Sequence, residues 1–177
     1  FQPTSFEAIE PYYNRLLNTD WNAGVDLSLS EGQDEHTKFA KWLADRSELE
    51  SCLDEHQAWL YVALSCDTEN TDKRKAYDFF VQEIYPKIAP LDDALNGKML
   101  TYPGLDSYHE PGFDRLLRMV RNARALYREE NIPLQTELKG LESQYGAKTG
   151  SLTIVYGGQE YTLPQAQNLL KSSDRTQ

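Results

Sequence analysis

The chain has 177 residues and a net charge of −10, from 28 acidic and 18 basic side chains. This charge opposes the neutralisation of phosphates that nucleic-acid binding needs, and it also disfavours anionic membrane surfaces. Because its apolar runs are only a few residues long, the sequence predicts no membrane-spanning helix and indicates a soluble, cytoplasmic protein with one good-sized core or two small ones.

The first predicted helix lies between Thr4 and Asn18, where Thr4 and Glu7 have the spacing of a capping box. Pro11 should start a second helical piece or kink the first. Residues 19–34 are rich in Ser, Gly, Asn and Asp and have no helical period. They are predicted to form a loop or crossover.

A long helix is predicted from His36 to Cys66, because its stripe returns every three or four residues. The stripe consists of Phe39, Leu43, Arg46, Leu49, Leu53, His56, Leu60 and Ala63. Two helices broken near residues 45–47 are the alternative, since Ser47 and Glu50 also have capping-box spacing. In one helix, Cys52 and Cys66 would lie roughly 20 Å apart, so we expect two unlinked, buried thiols.

The next helix should be capped by Asn70 or Thr71 and interrupted at Pro86 and Pro90. Its apolar stripe continues beyond the second proline, with the Asn-Gly pair at 96–97 as the expected stop. A kinked or two-piece helix is therefore predicted. Residues 101–112 are turn-rich.

A helix from Phe113 to about Glu130 carries an arginine at every third position over three turns. These residues are Arg115, Arg118, Arg121 and Arg124. In an acidic protein this basic stripe has two explanations. Either the arginines pair with acidic helices of the same chain, or they line a substrate groove and hold peptide carbonyls or a C-terminal carboxylate. We take them as candidate substrate-binding residues.

Another helix is predicted after Pro133, with an apolar stripe formed by Leu134, Leu138, Leu141 and Tyr145. Gly146 should end this helix as a left-handed cap. Gly140 lies inside it at a cost of about 1 kcal/mol relative to alanine, which predicts a close backbone contact at that position.

The runs at 152–156 and 159–163 are rich in β-branched and aromatic residues, and only Gly157 and Gly158 separate them. Such a glycine pair suits a two-residue hairpin turn, in which the central residues need positive φ. Thr162 and Gln165 should then form a capping box at the start of a last helix. The predicted fold is mainly α: a multi-helix N-terminal domain with one β-hairpin near the C-terminal end.

The search for catalytic chemistry finds no catalytic residue, metal ligand or bound cofactor in this chain. At His109 the sequence begins like HExxH, but Phe113 occupies the fifth position, and Pro111 and Gly112 would break the required helix. His36 and His56 have no second ligand at metal-site spacing.

Three pairs of adjacent carboxylates are predicted to be solvated on outer helix faces, since neighbours on a helix point in different directions. The pairs are Asp54 with Glu55, Asp92 with Asp93, and Glu129 with Glu130.

The C-terminal parts follow one another in the order helix, glycine-turn hairpin, TLPQA and Asp-Arg pair. This order resembles the N-terminal region of the oligoendopeptidase F group of zinc oligopeptidases, which are relatives of thimet oligopeptidase. The matching residues are Gly158, Gln159, Glu160, Thr162, Leu163, Pro164, Asp174 and Arg175. HExxH is missing, and the chain ends before the family would place it. The resemblance therefore implies the front of an enzyme.

In that family, zinc-activated water attacks a peptide bond, with HExxH histidines and a later glutamate as ligands. The resemblance implies zinc in the full-length protein and a role for these helices as one wall of a channel for short peptides. The implied partners are the protein's own C-terminal catalytic domain and an oligopeptide substrate. The expected division is a helical bundle at 1–130 and a helix, hairpin and helix at 131–177. The alternative is a free-standing helical interaction module.

Overall fold

A computed structural model of the chain describes residues 3–23 and 33–171. Its helices and strands, in chain order, are α1 (Phe6–Leu17), α2 (Gln33–Cys66), α3 (Thr71–Phe79), α4 (Tyr85–Leu100), α5 (Phe113–Leu126), α6 (Asn131–Gly150), β1 (Thr153–Tyr156), β2 (Gln159–Thr162) and α7 (Leu163–Leu170). A π-helical turn, Phe80–Ile84, joins α3 to α4, and a short 3₁₀ helix, Leu105–Ser107, precedes α5. The mainly α fold class, with one hairpin near the C-terminal end, is confirmed.

The cap of α1 is Ser5, and the prediction of Thr4 is wrong. Ser5 has the extended backbone of an N-cap, and its hydroxyl accepts a 3.3 Å hydrogen bond from the Ala8 N–H. The helix continues through Pro11 as a single element. Of the predicted loop at 19–34, residues 24–32 lie outside the described part of the chain.

One unbroken helix of 34 residues, α2, confirms the long-helix prediction, and no break occurs at 45–47. Both cysteines are free thiols, as expected. Their predicted burial is wrong, however, because Cys52 is only half-buried and Cys66 is exposed. Cys66 is the last residue of the helix, where fewer neighbouring elements can cover a side chain.

The interruption predicted at Pro86 corresponds to the π-helical turn just before it, whereas the one predicted at Pro90 is wrong, because α4 runs through Pro90 as a single helix. Asn70 caps α3 by accepting hydrogen bonds from two backbone N–H groups. Farther along, the Tyr85 N–H bonds to the carbonyl of Phe80, five residues back. Pro86 follows directly; it has no N–H to donate, and its ring would clash with the carbonyl four residues earlier, so a wider turn accommodates it. The predicted stop at 96–97 is wrong, since α4 runs to Leu100.

The core lies among α1, α2, α4, α5 and the turns that connect them, and it is centred on aromatic rings. Phe39 stacks on Tyr102 with ring centroids 4.0 Å apart, and Trp21 meets both rings edge to face. The indole N–H groups also find acceptors: Trp42 donates to the Leu16 carbonyl at 3.0 Å. Buried polar atoms on such rings need partners, so these bonds fix how the helices meet.

Helix α6 passes through both of its internal glycines and ends at Gly150, so the predicted cap at Gly146 is wrong. A Cβ placed on Gly140 or Gly146 would meet nothing within 4 Å. The predicted close contact at Gly140 is therefore also absent among the described residues. Only Ile132 of α6 is buried.

The hairpin is confirmed in register and turn. Gly157 and Gly158 have φ of 61° and 78°, and Tyr156 pairs with Gln159 across the turn. Positive φ at both central positions is the requirement that glycine meets without steric cost. The capping box at the start of α7 is present as well, with both hydrogen bonds between Thr162 and Gln165.

Candidate functional site

All four candidate arginines of α5 are exposed, but they do not share one face. Each step of three residues turns the position by about 60° around a helix, so Arg115 and Arg124 lie on opposite sides of α5. Arg124 faces α4: its Nε lies 3.5 Å from Asp93 Oδ1, and its guanidinium occupies the space that a side chain at Gly97 would need. Arg124 therefore fits the intramolecular explanation.

The side chains of Arg115, Arg118 and Arg121 have no hydrogen bond or ion pair with any residue in the described ranges. Asp114 lies four residues before Arg118, yet the two do not pair. Met119, 57% exposed, lies between these arginines in sequence. We call Arg115, Arg118 and Arg121 the arginine face; within the described ranges no acidic side chain pairs with it.

The prediction that Asp92 and Asp93 are solvated is wrong. Asp92 is largely enclosed, and its Oδ1 accepts a 2.6 Å hydrogen bond from the hydroxyl of Tyr13. Asp93 Oδ1 is also buried, with no hydrogen-bond partner among the described residues besides its ion pair with Arg124. Burial raises the pKa of Asp92 to about 6.

The sequence did carry a signal for the burial of Asp92. Ile88, Leu95 and Met99 are buried at one side of α4, and position 92 falls between them at helical spacings of four and three. An aspartate on a buried stripe must find a donor, because an unpaired buried charge is strongly destabilising. The donor, Tyr13, is 79 residues away and could not be read from local pattern.

Exposed apolar side chains are concentrated on α6, the hairpin and α7, and we call them together the C-terminal apolar face. Its exposed side chains are Leu134, Leu138, Leu141 and Tyr145 of α6, Ile154 and Tyr156 of the hairpin, and Leu169 and Leu170 of α7. The hairpin and α7 enclose a groove of about 470 Å³ lined by apolar side chains. The predicted stripe of α6 is thus real but uncovered, with Leu138 56% and Tyr145 71% exposed.

The histidines have structural surroundings. His36 Nδ1 lies 2.8 Å from the Tyr102 hydroxyl, burial against the core lowers the pKa of His56, and His109 is exposed in the turn before α5. Within residues 3–23 and 33–171 no three His, Cys, Asp or Glu side chains are grouped so that they could hold a metal ion. Nor does any helix in these ranges combine the length and apolar character needed to cross a membrane.

The comparison with known families finds one match. The family model of the Peptidase M3 N-terminal domain matches residues 27–126, from just before α2 to the last residue of α5. The residues that carried the resemblance in the sequence lie beyond this segment, and Asp174 and Arg175 lie outside the described residues. No curated protein and no solved structure matches the chain. Since the matched segment covers more than half of the 177 residues, the chain belongs to the Peptidase M3 N-terminal domain family.

Proposed function

We propose that this chain is the non-catalytic N-terminal part of a cytoplasmic, zinc-dependent oligoendopeptidase of the oligoendopeptidase F group. In this proposal its helices form one wall of a channel that admits short peptides. Family membership supports the assignment to a peptidase. The observation that carries the proposed architecture is the C-terminal apolar face.

The C-terminal apolar face needs a cover. A fully buried leucine contributes about 1.5–3 kcal/mol relative to an exposed one, and the leucines of this surface leave that contribution unrealised. The hairpin also needs a cover, because a two-stranded hairpin alone is marginally stable and every residue of β1 is exposed. We infer that the cover is the peptidase domain of the same protein.

The described residues do not fit a zinc site, so no step of the proposed reaction runs through a metal bound to this chain. When bound in a peptidase domain, zinc would supply an activated water for attack on the peptide bond. The task of this chain would be selection and enclosure of peptides. Arg115, Arg118 and Arg121 are proposed to contact peptide carbonyls or carboxylates, since guanidinium groups donate hydrogen bonds to carbonyl oxygens and bind carboxylates in bidentate geometry.

The test compares peptide hydrolysis by this chain alone with hydrolysis by a longer protein that includes a peptidase domain. We expect the chain alone to be inert and the longer protein to cleave a fluorogenic oligopeptide in a chelator-sensitive way. In the longer protein, Leu138→Gln should loosen the proposed domain contact, lowering the melting temperature and turnover. Leu126→Gln is the matched control, because Leu126 is 78% exposed and lies on α5, so it is not one of the residues of the C-terminal apolar face.

Chelator-sensitive hydrolysis by this chain alone would contradict the non-catalytic assignment. Equal effects of Leu138→Gln and Leu126→Gln would contradict the proposed domain contact. If both the chain and the longer protein are inert, the free-standing interaction module becomes the better explanation. A separate variant, Arg118→Gln, tests the arginine face through an increased KM for peptides.

A further inference from the structure

A second cleft lies away from the arginine face and next to the hairpin–α7 groove, with which it shares Leu163. The corner between α2 and α3 forms one wall, α6 forms the opposite wall, and residues 162–164 at the start of α7 close one end; the cleft has a volume of about 760 Å³. Clefts of this volume are typical of small-ligand sites. The side chains that carry the argument are Tyr61, Arg74 and Tyr77 on one wall and Glu142, Ser143 and Ala147 on the other.

Arg74 is a half-buried cation without an acidic partner among the described residues. The one hydrogen bond of its guanidinium to a described residue is a 2.7 Å contact from Nη2 to the carbonyl of Thr68. A guanidinium has five N–H donors in a planar fork, and this bond uses one of them. Lys73, the preceding residue, does pair with Asp67, so cations of this helix do find acidic partners when these are within reach.

On the opposite wall, the hydroxyl of Ser143 is shielded from solvent and has no hydrogen-bond partner in the described part of the chain. A buried polar atom without a partner destabilises a protein, and it commonly marks the position of a ligand atom or water. Arg74 and Ser143 therefore leave polar groups unsatisfied on both walls of the same cleft.

The remaining lining is aromatic. The rings of Tyr61 and Tyr77 lie 6.1 Å apart at 53°, and burial raises the pKa of Tyr77, which keeps its hydroxyl neutral. Two tyrosine rings beside a cation suit a ligand with an anionic end and an apolar side chain. Glu142 lies close enough to raise the pKa of Tyr77 further, so a second negative charge on the ligand would be repelled.

We propose that this cleft binds a monoanionic carboxylate at the end of a short peptide. Arg74 takes the carboxylate, the Ser143 side chain rotates so that its shielded hydroxyl donates a hydrogen bond to it, and the tyrosine rings contact the last side chain. This proposal rests on the proposed function for its choice of a peptide, and it adds a peptide-binding site separate from the arginine face.

The experiment is a titration of the ¹⁵N-labelled 177-residue chain, followed by NMR, with three probes. These are alanyl-alanyl-phenylalanine with a free carboxylate, the same tripeptide as its C-terminal amide, and acetate. We expect saturable shifts at the two cleft walls with the free acid and about tenfold or more weaker binding of the amide. Weak binding of acetate at the same amides would show the contribution of the carboxylate alone.

Two variants test the site independently. Arg74→Gln should weaken binding of the free acid by about tenfold or more. Because Arg74 also bonds to Thr68, a second variant, Ala147→Leu, fills the cleft from α6 with a good helix former and should abolish binding. The matched control is Lys75→Gln, which removes an exposed cation from the same helix and should leave binding unchanged.

Equal affinity for the acid and the amide would overturn the proposal, as would wild-type affinity in both Arg74→Gln and Ala147→Leu. Shifts confined to α5 would move the carboxylate site to the arginine face and also overturn it. The absence of saturable binding up to millimolar peptide would do the same. None of these outcomes bears on hydrolysis by the longer protein, so failure here is distinguishable from failure of the proposed function.

Discussion

The hydroxyl of Tyr13 in α1 donates a 2.6 Å hydrogen bond to Oδ1 of Asp92 in α4. Burial raises the pKa of both groups, to about 6 for Asp92. At neutral pH the pair is therefore a neutral phenol bonded to a partly desolvated carboxylate. The groups that face Asp92 are Tyr13 from α1, Arg46, Glu50 and Asp54 from α2, and Tyr85 from α4.

The first prediction concerns the pH dependence of stability. The folded pKa of Asp92 lies above its ordinary value of 3.8, so protonation favours the folded state. The stabilisation is fully present below about pH 3.8 and is lost as the pH rises through about 6, with an upper limit of about 3 kcal/mol. Asp92→Asn keeps an acceptor for Tyr13 and removes the charge. It should raise the free energy of unfolding at pH 7.5 by about 1–3 kcal/mol.

Urea denaturation of wild type and Asp92→Asn between about pH 4 and 8 measures this effect. The difference between the two proteins should grow as the pH rises. Glu55→Gln is the control, because Glu55 is exposed on α2, is not among the groups that face Asp92, and should change stability little. Parallel pH profiles for wild type and Asp92→Asn would show that Asp92 titrates normally.

The second prediction is that Gly140→Ala stabilises the chain. Gly140 has ordinary helical backbone inside α6, and a Cβ there would meet nothing within 4 Å. Alanine should add about 0.5–1 kcal/mol to the free energy of unfolding, because it has less unfolded-state entropy to lose. Chemical denaturation is the measurement. A loss of stability would reveal a contact at Gly140 outside the described residues.

Gly97→Ala is the contrasting variant in α4. Its Cβ would overlap the guanidinium of Arg124, which must move away from Asp93. The gain in helix propensity should then be offset, and Gly97→Ala should stabilise less than Gly140→Ala. In an Arg124→Ala background the offset should disappear, and a double-mutant cycle measures it.

The third prediction concerns the hairpin turn. Gly158 has φ of 78°, which is strained for a β-branched residue, so Gly158→Val should destabilise the hairpin by about 1–3 kcal/mol. Gly157→Asn is the control, because asparagine tolerates positive φ and Asn-Gly suits this turn. Since the strands are largely exposed, the readout is amide exchange at β1 and β2. Unchanged protection in Gly158→Val would contradict the turn.

The fourth prediction concerns the cysteines. Cys52 and Cys66 occupy one helix about 20 Å apart and cannot form a disulfide with each other. Thiol titration of the unfolded chain without reductant should find two thiols. In the folded chain Cys66 should react faster than the half-buried Cys52. Fewer than two thiols in a monomer would mean that α2 is not continuous.

Short-range chemistry made several features predictable from sequence. The Asn70 cap, the Thr162–Gln165 capping box and the glycine turn each depend on residues within a few positions of one another. The apolar period also predicted that residues 36–66 are helical, but it left open whether they form one helix or two, and the structure shows one. The resemblance in the sequence also led to the correct family, the M3 peptidases, although the match does not extend to the subgroup.

Contacts between distant residues decided the rest. Helical spacing predicts how the arginines are distributed around α5. The position of α4 decided that Arg124 pairs with Asp93 while Arg118 does not. Tertiary structure likewise decided that Asp92 meets Tyr13 instead of water. A periodic pattern specifies which side of a helix is apolar and not what covers it, so the sequence determined the stripe of α6 and only the fold showed it to be exposed.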